Sequence, residues 1–268
     1  MQRRRLLALV GSLAAGSGCT GSGDDPSVDS TVTPAPVPTA GGTRTPTLDG
    51  DVQITAAMVQ PGVVTAGDDS LSVVDDAGQY LFFNLEGGVP DRSAVEFRFS
   101  GASYTPESFY GRLYRGDFDG EEYGENGGPL VFALPQTGDG TDAELAWGDG
   151  SWTLPETVVQ RLEDPLPSFS VSLDGPETAG DGSDLEITVG VTNEGDSAGR
   201  YVFALNRQGP QIASTPVGRI AGELEPGASE THTFDAVPPD DRNGTGYFLQ
   251  VPGERDSLDH YIEPADDS

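Results

Sequence analysis

Several stretches of this chain carry the residue types that chemistry needs. Gly195-Asp196-Ser197-Ala198-Gly199 has the G-x-S-x-G spacing in which a strained strand-to-helix turn lifts a serine hydroxyl above a parallel sheet. Such a serine needs a base, and His232 and His260 are the two histidines available. The residues that follow, Arg200-Tyr201-Val202-Phe203-Ala204-Leu205, read as a strand and not a helix. Glycine and aspartate are also what a hairpin loop requires on its own account. Ser197 is therefore read as a hairpin residue, and no catalytic or cofactor-binding residue is assigned. His232, inside Thr231-His232-Thr233, is expected on a strand facing solvent. His260, in the acidic stretch from Asp256 to Asp267, is expected to be exposed, and the two are too far apart in sequence to suggest zinc.

Asp117-Phe118-Asp119-Gly120-Glu121 sets alternating carboxylates beside a glycine turn. Asp117, Asp119 and Glu121 are thus candidate Ca²⁺ ligands through hard oxygens, although the full EF-hand spacing is missing. With 44 acidic residues in 268, the same cluster also arises as a solvated loop. No other cofactor is expected. The region from Ser103 to Tyr123 is rich in aromatics: Tyr104, Phe109, Tyr110, Tyr114, Phe118 and Tyr123, with Arg112 and Arg115 among them. Tyr104, Tyr110, Tyr114 and Tyr123 are the candidate binding surface, because exposed aromatics beside arginine stack on sugar rings or anchor a protein partner. A β core or edge strand consumes the same residues, and that reading is preferred for the stretch as a whole. Asn243-Gly244-Thr245 is an N-x-[ST] sequon, which makes Asn243 a candidate glycosylation site on an exported chain.

The first 50 residues are read as address and stem. Arg3, Arg4 and Arg5 precede an apolar run from Leu6 to Ala15, which is shorter than the roughly 20 residues a transmembrane helix needs. Arg3-Arg4-Arg5-Leu6-Leu7 resembles the twin-arginine export motif, so Arg3 and Arg4 are the candidate export residues. Gly16-Ser17-Gly18 leads to Cys19, the one cysteine of the chain. A single cysteine excludes an intrachain disulfide and a thiolate metal cluster. Its placement resembles a lipoprotein signal, in which residues 1–19 end at a lipidated Cys19. Gly16 departs from that motif, which prefers Leu there. Residues 20–50 are rich in Thr, Pro, Ser and Gly; Thr31 to Thr39 favours polyproline II and has no apolar face. Fully extended, this stem would reach about 100 Å.

The charge balance narrows the partners. Fourteen basic residues, all arginine, stand against 44 acidic ones, for a net charge of -30. Such a surface repels phosphate backbones and anionic lipid, so nucleic acid and a basic membrane patch are excluded as partners. The expected membrane contact is the lipid anchor alone, leaving a cell-surface protein or carbohydrate as possible partner. Aspartate exceeds glutamate and lysine is absent, a composition that resembles proteins of salt-loving archaea. Molar salt shortens the Debye length to about 3 Å and screens the mutual repulsion.

The positioning elements read as antiparallel β throughout. In residues 51–164, short alternating runs (Val52 to Met58, Leu71 to Val74, Tyr80 to Leu85, Val95 to Phe99, Leu130 to Leu134, Ala143 to Trp147 and Ser151 to Leu154) are separated by Gly, Pro and Asp turns. Thr157 to Leu162 fits one helical turn or a last strand. Asp164-Pro165-Leu166-Pro167 marks a boundary. In residues 165–268 the alternation is cleaner, with about seven short strands, Tyr247 to Val251 being the last. Ile187-Thr188-Val189-Gly190-Val191-Thr192-Asn193-Glu194-Gly195, then Leu224-Glu225-Pro226-Gly227 and Gly246-Tyr247-Phe248-Leu249, resemble CARDB-like immunoglobulin-like modules over about residues 168 to 252. Gly78 to Leu85 and Leu130 to Pro135 more weakly resemble the immunoglobulin-like domain of small prokaryotic lipoproteins. These resemblances imply an all-β chain of two tandem immunoglobulin-like β-sandwiches after a signal and stem, and exposure at the cell surface. The expected function is a non-catalytic, membrane-anchored binding or structural module. An accessory subunit of an exported transporter or pilus complex and an extracytoplasmic hydrolase are the alternatives.

Overall fold

The computed structural model describes residues 52–114, 123–148, 150–180, 184–209, 213–240 and 243–265. The chain is all-β, as expected, with one helix of eight residues among the described elements.

The first sandwich is built from β1 (Gln53–Gln60), β2 (Val63–Ala66), β3 (Leu71–Val74), β4 (Gln79–Glu86), β5 (Val95–Phe99), β6 (Ala102–Tyr104), β7 (Arg112–Leu113), β8 (Gly127–Leu134), β9 (Glu144–Trp147) and β10 (Gly150–Thr153). One sheet has the order β1-β4-β8, the facing sheet β10-β9-β5-β6, and a small third sheet β3-β2-β7. The period of two sends Leu81, Phe83 and Leu85 of β4 into the main core, where they meet Phe97, Phe99, Phe132, Leu145 and Trp152. Phe83 sits at the centre, edge-on to Phe132 and Trp152 with ring centroids 5.8 and 5.9 Å away. The alternate residues Tyr80 and Phe82 are buried too, beneath Val63 of the small sheet. The helix α1 (Glu156–Glu163) follows Pro155 and buries Leu162, which resolves the Thr157 to Leu162 ambiguity in favour of helix. Gln79 donates to the Leu162 carbonyl (3.1 Å), and Glu163 accepts from Gly140 N (3.0 Å), fixing the helix against the sandwich.

The second sandwich comprises β11 (Phe169–Asp174), β12 (Thr178–Ala179), β13 (Leu185–Asn193), β14 (Gly199–Gln208), β15 (Thr215–Leu224), β16 (Ser229–Ala236), β17 (Thr245–Gln250) and β18 (Leu258–Pro264). Its sheets are β11-β13-β16 and β12-β18-β17-β14-β15, antiparallel except for the short β12–β18 pair. Ile187, Val189 and Val191 of one sheet face Tyr201, Phe203, Leu205, Tyr247 and Leu249 of the other. The last strand is β18, not β17. It hides in an acidic stretch because Asp259 and Glu263 take its exposed positions while Ile262 is fully buried in the core.

The two sandwiches belong to one compact unit. Their join is the β2–β3 ribbon, which buries both faces. Val63 packs on Tyr80 and Phe82 of the first sandwich; Val64 and Leu71 pack on Val202 and Ala204 of the second. The free edge of β3 is closed by amide side chains instead of another strand. Asn206 accepts from Leu71 N (2.7 Å) and donates back to Leu71 O (2.9 Å), imitating a ladder pair. Gln250 accepts from Val73 N at 2.9 Å. Asn206 is only 5% exposed; the Leu71 N–H depends on it, while the Leu71 carbonyl also accepts a long bond from Gln250 Nε2 at 3.5 Å.

Replacing Asn206 by Ala should therefore cost about 1–3 kcal/mol, since it leaves the buried Leu71 N–H unpaired and its carbonyl with the long Gln250 bond alone. Denaturant unfolding in concentrated salt measures this. A change within about 0.5 kcal/mol, the usual range of a surface substitution, would show the clamp to be dispensable.

Candidate functional site

The serine pentapeptide lies where the chain crosses from β13 in one sheet to β14 in the facing sheet, so Ser197 is a loop residue but not in the hairpin expected: β13 and β14 do not pair. The loop is drawn in by Asn193, a fully buried side chain. Its Nδ2 donates to the carbonyls of Ser197 and Leu224, both at 2.9 Å, and its Oδ1 accepts from Gly195 N at 2.9 Å. The two flanking glycines have a packing reason: a Cβ at Gly195 or Gly199 would lie 2.7 or 2.2 Å from the Pro167 ring. Ser197 thus stands in a loop between strands of the two facing sheets, with a strand and not a helix following it, and the elbow geometry is missing.

The same loop lines a crevice of about 40 Å³ between the sandwiches, with Val59, Arg161, Pro165, Leu166 and Arg200. Arg161, near the C-terminus of α1, pairs with Glu223 of β15. Arg200 of β14 approaches the other oxygen of that carboxylate at 3.9 Å. The Arg200 side chain is 12% exposed, and its Nε finds no hydrogen-bond partner. Burial lowers its proton affinity from the ordinary arginine range; Glu223 opposes that and Arg161 adds to it.

A second polar cluster begins one residue further along β14, where Tyr201 turns toward the facing sheet. The Tyr201 hydroxyl contacts Glu230 Oε2 at 2.7 Å and His232 Nε2 at 2.8 Å. An ionised carboxylate only accepts, so the single phenol proton goes to Glu230, and the imidazole must donate from Nε2. Gly222, paired with Tyr201 across the β14–β15 ladder, leaves room for this hydroxyl: a Cβ there would be 2.4 Å from it. Burial first, then the hydrogen bond to Glu230, push the Tyr201 phenol far above its usual pKa. It is no nucleophile or base near neutrality, and the trio acts as a tie between facing sheets. His232 therefore does not face solvent: it is half-buried against the Tyr201 ring, centroids 5.9 Å apart. Nor is His260 an exposed tail residue. It sits half-buried on β18, its Nε2 3.0 Å from the Pro176 carbonyl.

The aromatic stretch divides between core and surface. Tyr104 packs against the first core, Phe109 against Tyr80, and Tyr114 at the join between sandwiches. Tyr123 donates to the Pro90 carbonyl at 2.7 Å, and burial raises its phenol to about 12. Tyr110 alone projects fully, 99% exposed, beside Gly111, whose close approach to the Ala66 carbonyl leaves no space for a Cβ. A second aromatic pair that the sequence reading missed is Phe248 with Tyr261, edge-on at 5.7 Å on the outer face of β17–β18, with Tyr261 53% exposed. Its signal was the alternation of β18, masked by acidic neighbours. At the sequon, Asn243 is exposed and bound to Asp240, while Thr245 is wholly buried. Asp117, Asp119, Glu121, Arg3, Arg4 and Cys19 lie outside the described residues. Among the described residues no group of three or more His, Cys, Asp or Glu could hold a metal ion, and no helix is long and apolar enough to cross a membrane.

No family model matches the chain, and no curated protein sequence matches it. Solved structures share pieces of its fold. A β-glucosidase from Listeria innocua is 16% identical over 39% of this chain and 17% of its own length, with a TM-score of 0.32. The β-D-glucoside glucohydrolase of Trichoderma reesei is 20% identical over 38% of this chain and 19% of its own, TM-score 0.30. The CARDB domain of the PF1109 protein from Pyrococcus furiosus, solved in complex with di-metal ions, is 17% identical over 37% of this chain and 90% of that domain, TM-score 0.31. The chain thus spans about a fifth of the length of the glucosidases it matches, and these likenesses concern the fold alone.

His232 gives the trio a pH signature. Burial lowers its pKa below the ordinary histidine value of 6.5, with Glu230 partly opposing, so the folded state prefers the neutral ring. The unfolded chain then binds more protons, and this contribution to stability is complete above about pH 6.5 and is lost as the pH falls toward the lower folded pKa. Melting temperatures followed from about pH 8 to about pH 5 should fall more steeply in the unaltered chain than in His232→Gln. Equal slopes would mean that His232 is not held neutral.

Proposed function

We propose that the chain is an extracytoplasmic surface lipoprotein, anchored to the cell membrane through Cys19 and serving as a non-catalytic binding or structural module. The observation that carries this reading is the welding of two sandwiches into one compact unit by a ribbon buried on both faces. A stem followed by such a unit holds fixed faces away from its point of attachment. The residues with the most chemical promise are also taken up by structure: Ser197 in a cinched loop between sheets and His232 in a half-buried tie. The second sandwich is read as CARDB-like from Ile187 to Gly195 and the turn at Glu225-Pro226-Gly227. Tyr110 and the Phe248–Tyr261 pair are the aromatic contacts open to a surface protein or carbohydrate. The acid excess and absence of lysine suit concentrated salt, and Arg3 and Arg4 suit export of an already folded chain.

Cys19→Ser should release the protein into the medium or leave it unprocessed, and lysine at Arg3 and Arg4 should stop export. Fractionation and processing of the variants, with recovery of partners from membranes in high salt, check both. Normal processing and membrane retention of Cys19→Ser would remove the anchor from this reading. Reproducible turnover of an ester, peptide or glycoside by the purified chain would replace the module with an enzyme.

A further inference from the structure

We propose that the crevice between the two sandwiches is a binding site for a small inorganic anion of halide size, held by Arg161, Arg200 and Ser197. The first support is charge. Two guanidinium groups share one carboxylate, Glu223, which leaves one positive charge in excess in a chain whose net charge is -30; Arg200 is the buried member at 12% exposed, while Arg161 and Glu223 are about a third exposed. Asp164 also borders the crevice, but it is exposed, and solvent weakens its competition for the arginines. The second is an unmet donor. Arg200 Nε is buried and finds no acceptor, although a charged, buried N–H is among the groups that most need one.

Size selects the ligand. A volume of about 40 Å³ holds roughly three water-sized spheres, enough for chloride, bromide or nitrate and too little for a sugar phosphate or a peptide carboxylate with its backbone. The lining fits that choice, with the guanidinium N–H groups and the Ser197 hydroxyl able to donate and apolar Val59 and Leu166 closing the sides. Water would satisfy Arg200 Nε but would leave the excess charge unanswered. Location supplies the consequence. Arg161 belongs to the helix of the first sandwich and Arg200 to the second, so an anion between them ties the two together at the end away from the β2–β3 ribbon's Asn206 clamp. Binding to the folded state alone then adds stability that grows with anion concentration.

The test uses the whole folded chain and chloride itself. Chloride NMR line broadening should exceed that of a reference protein-free solution, fall on addition of bromide or nitrate, and indicate about tenfold weaker binding in Arg161→Gln and Arg200→Gln. Melting in sodium chloride should gain over sodium glutamate of equal ionic strength, whose anion is too large for the crevice, and that gain should shrink in the variants. If Arg200→Gln does not fold, Arg161→Gln at the helix end and Ser197→Ala carry the comparison. Equal broadening in the unaltered chain and Arg161→Gln, or an equal chloride gain in both, would overturn the site and leave water as the occupant.

Discussion

The architecture depends on a strand, β2, that has no solvent face. A β-strand places successive side chains on opposite sides, and β2 sets Val63 toward one core and Val64 toward another. Each valine buries the better part of its surface, a gain on the order of 1.5–3 kcal/mol per side chain. That gain would be forfeited if the free edge of β3 met an apolar wall with its N–H and C=O groups unpaired. Asn206 and Gln250 prevent this by presenting amides in place of a neighbouring strand. The arrangement is directional as well as stabilising: an amide that both accepts and donates fits the backbone of Leu71 in one register only. Hydrophobic contact brings the sandwiches together, and the amides decide how they sit.

The polar groups of the interior follow one logic. Asn193 closes the β13–β14 loop onto the end of β15, Gln79 reaches a helix carbonyl, and Tyr201 joins Glu230 and His232. Each buried group spans two elements that the hydrophobic pattern alone would leave free to slide. Glycines serve the same ends by absence. Gly222 makes room for a phenol and Gly199 for a proline ring, at positions where any side chain would collide. Much of what resembled an active site in sequence, including the glycines around Ser197, is the signature of these close approaches.

The amphipathic strands were legible because one side of each meets water. Leu71 to Val74 and Val95 to Phe99 carry the same bounds in sequence and in structure, and β13 shows its alternation openly. What escaped has definite causes. The run at Val63-Val64 lacks alternation because both of its faces are buried, so it reads as a short apolar patch after Pro61-Gly62. The strand β18 was taken for a tail because acidic residues fill its outer positions. His232 was placed on the wrong face because the inner positions of β16 begin with Glu230 and His232, and polar residues inside a sandwich cannot be told from outer ones until Tyr201 is seen opposite. Of the site residues, the aromatic stretch was visible by composition. Which of its members would project was not, since that depends on how β7 lies against β2.

The charge of the chain acquires a different meaning once the arginines are placed. A surface with so many carboxylates and no lysine offers little to any anionic partner, and salt at the concentration that screens it also reduces long-range attraction to a cationic one. Electrostatic capture is therefore a poor basis for recognition by this surface. What survives in such a solvent is short-range: apolar and aromatic contact, hydrogen bonds with exact partners, and positive charge held where water is scarce. Arg98 spends its charge on Glu96 and Glu144 at the surface, where the pairing adds little. Arg161 and Arg200 stand at the join instead, and at Arg200, 12% exposed, burial amplifies the same charge. The position of the few cations, more than the number of anions, is what distinguishes the interior of this protein from its exterior.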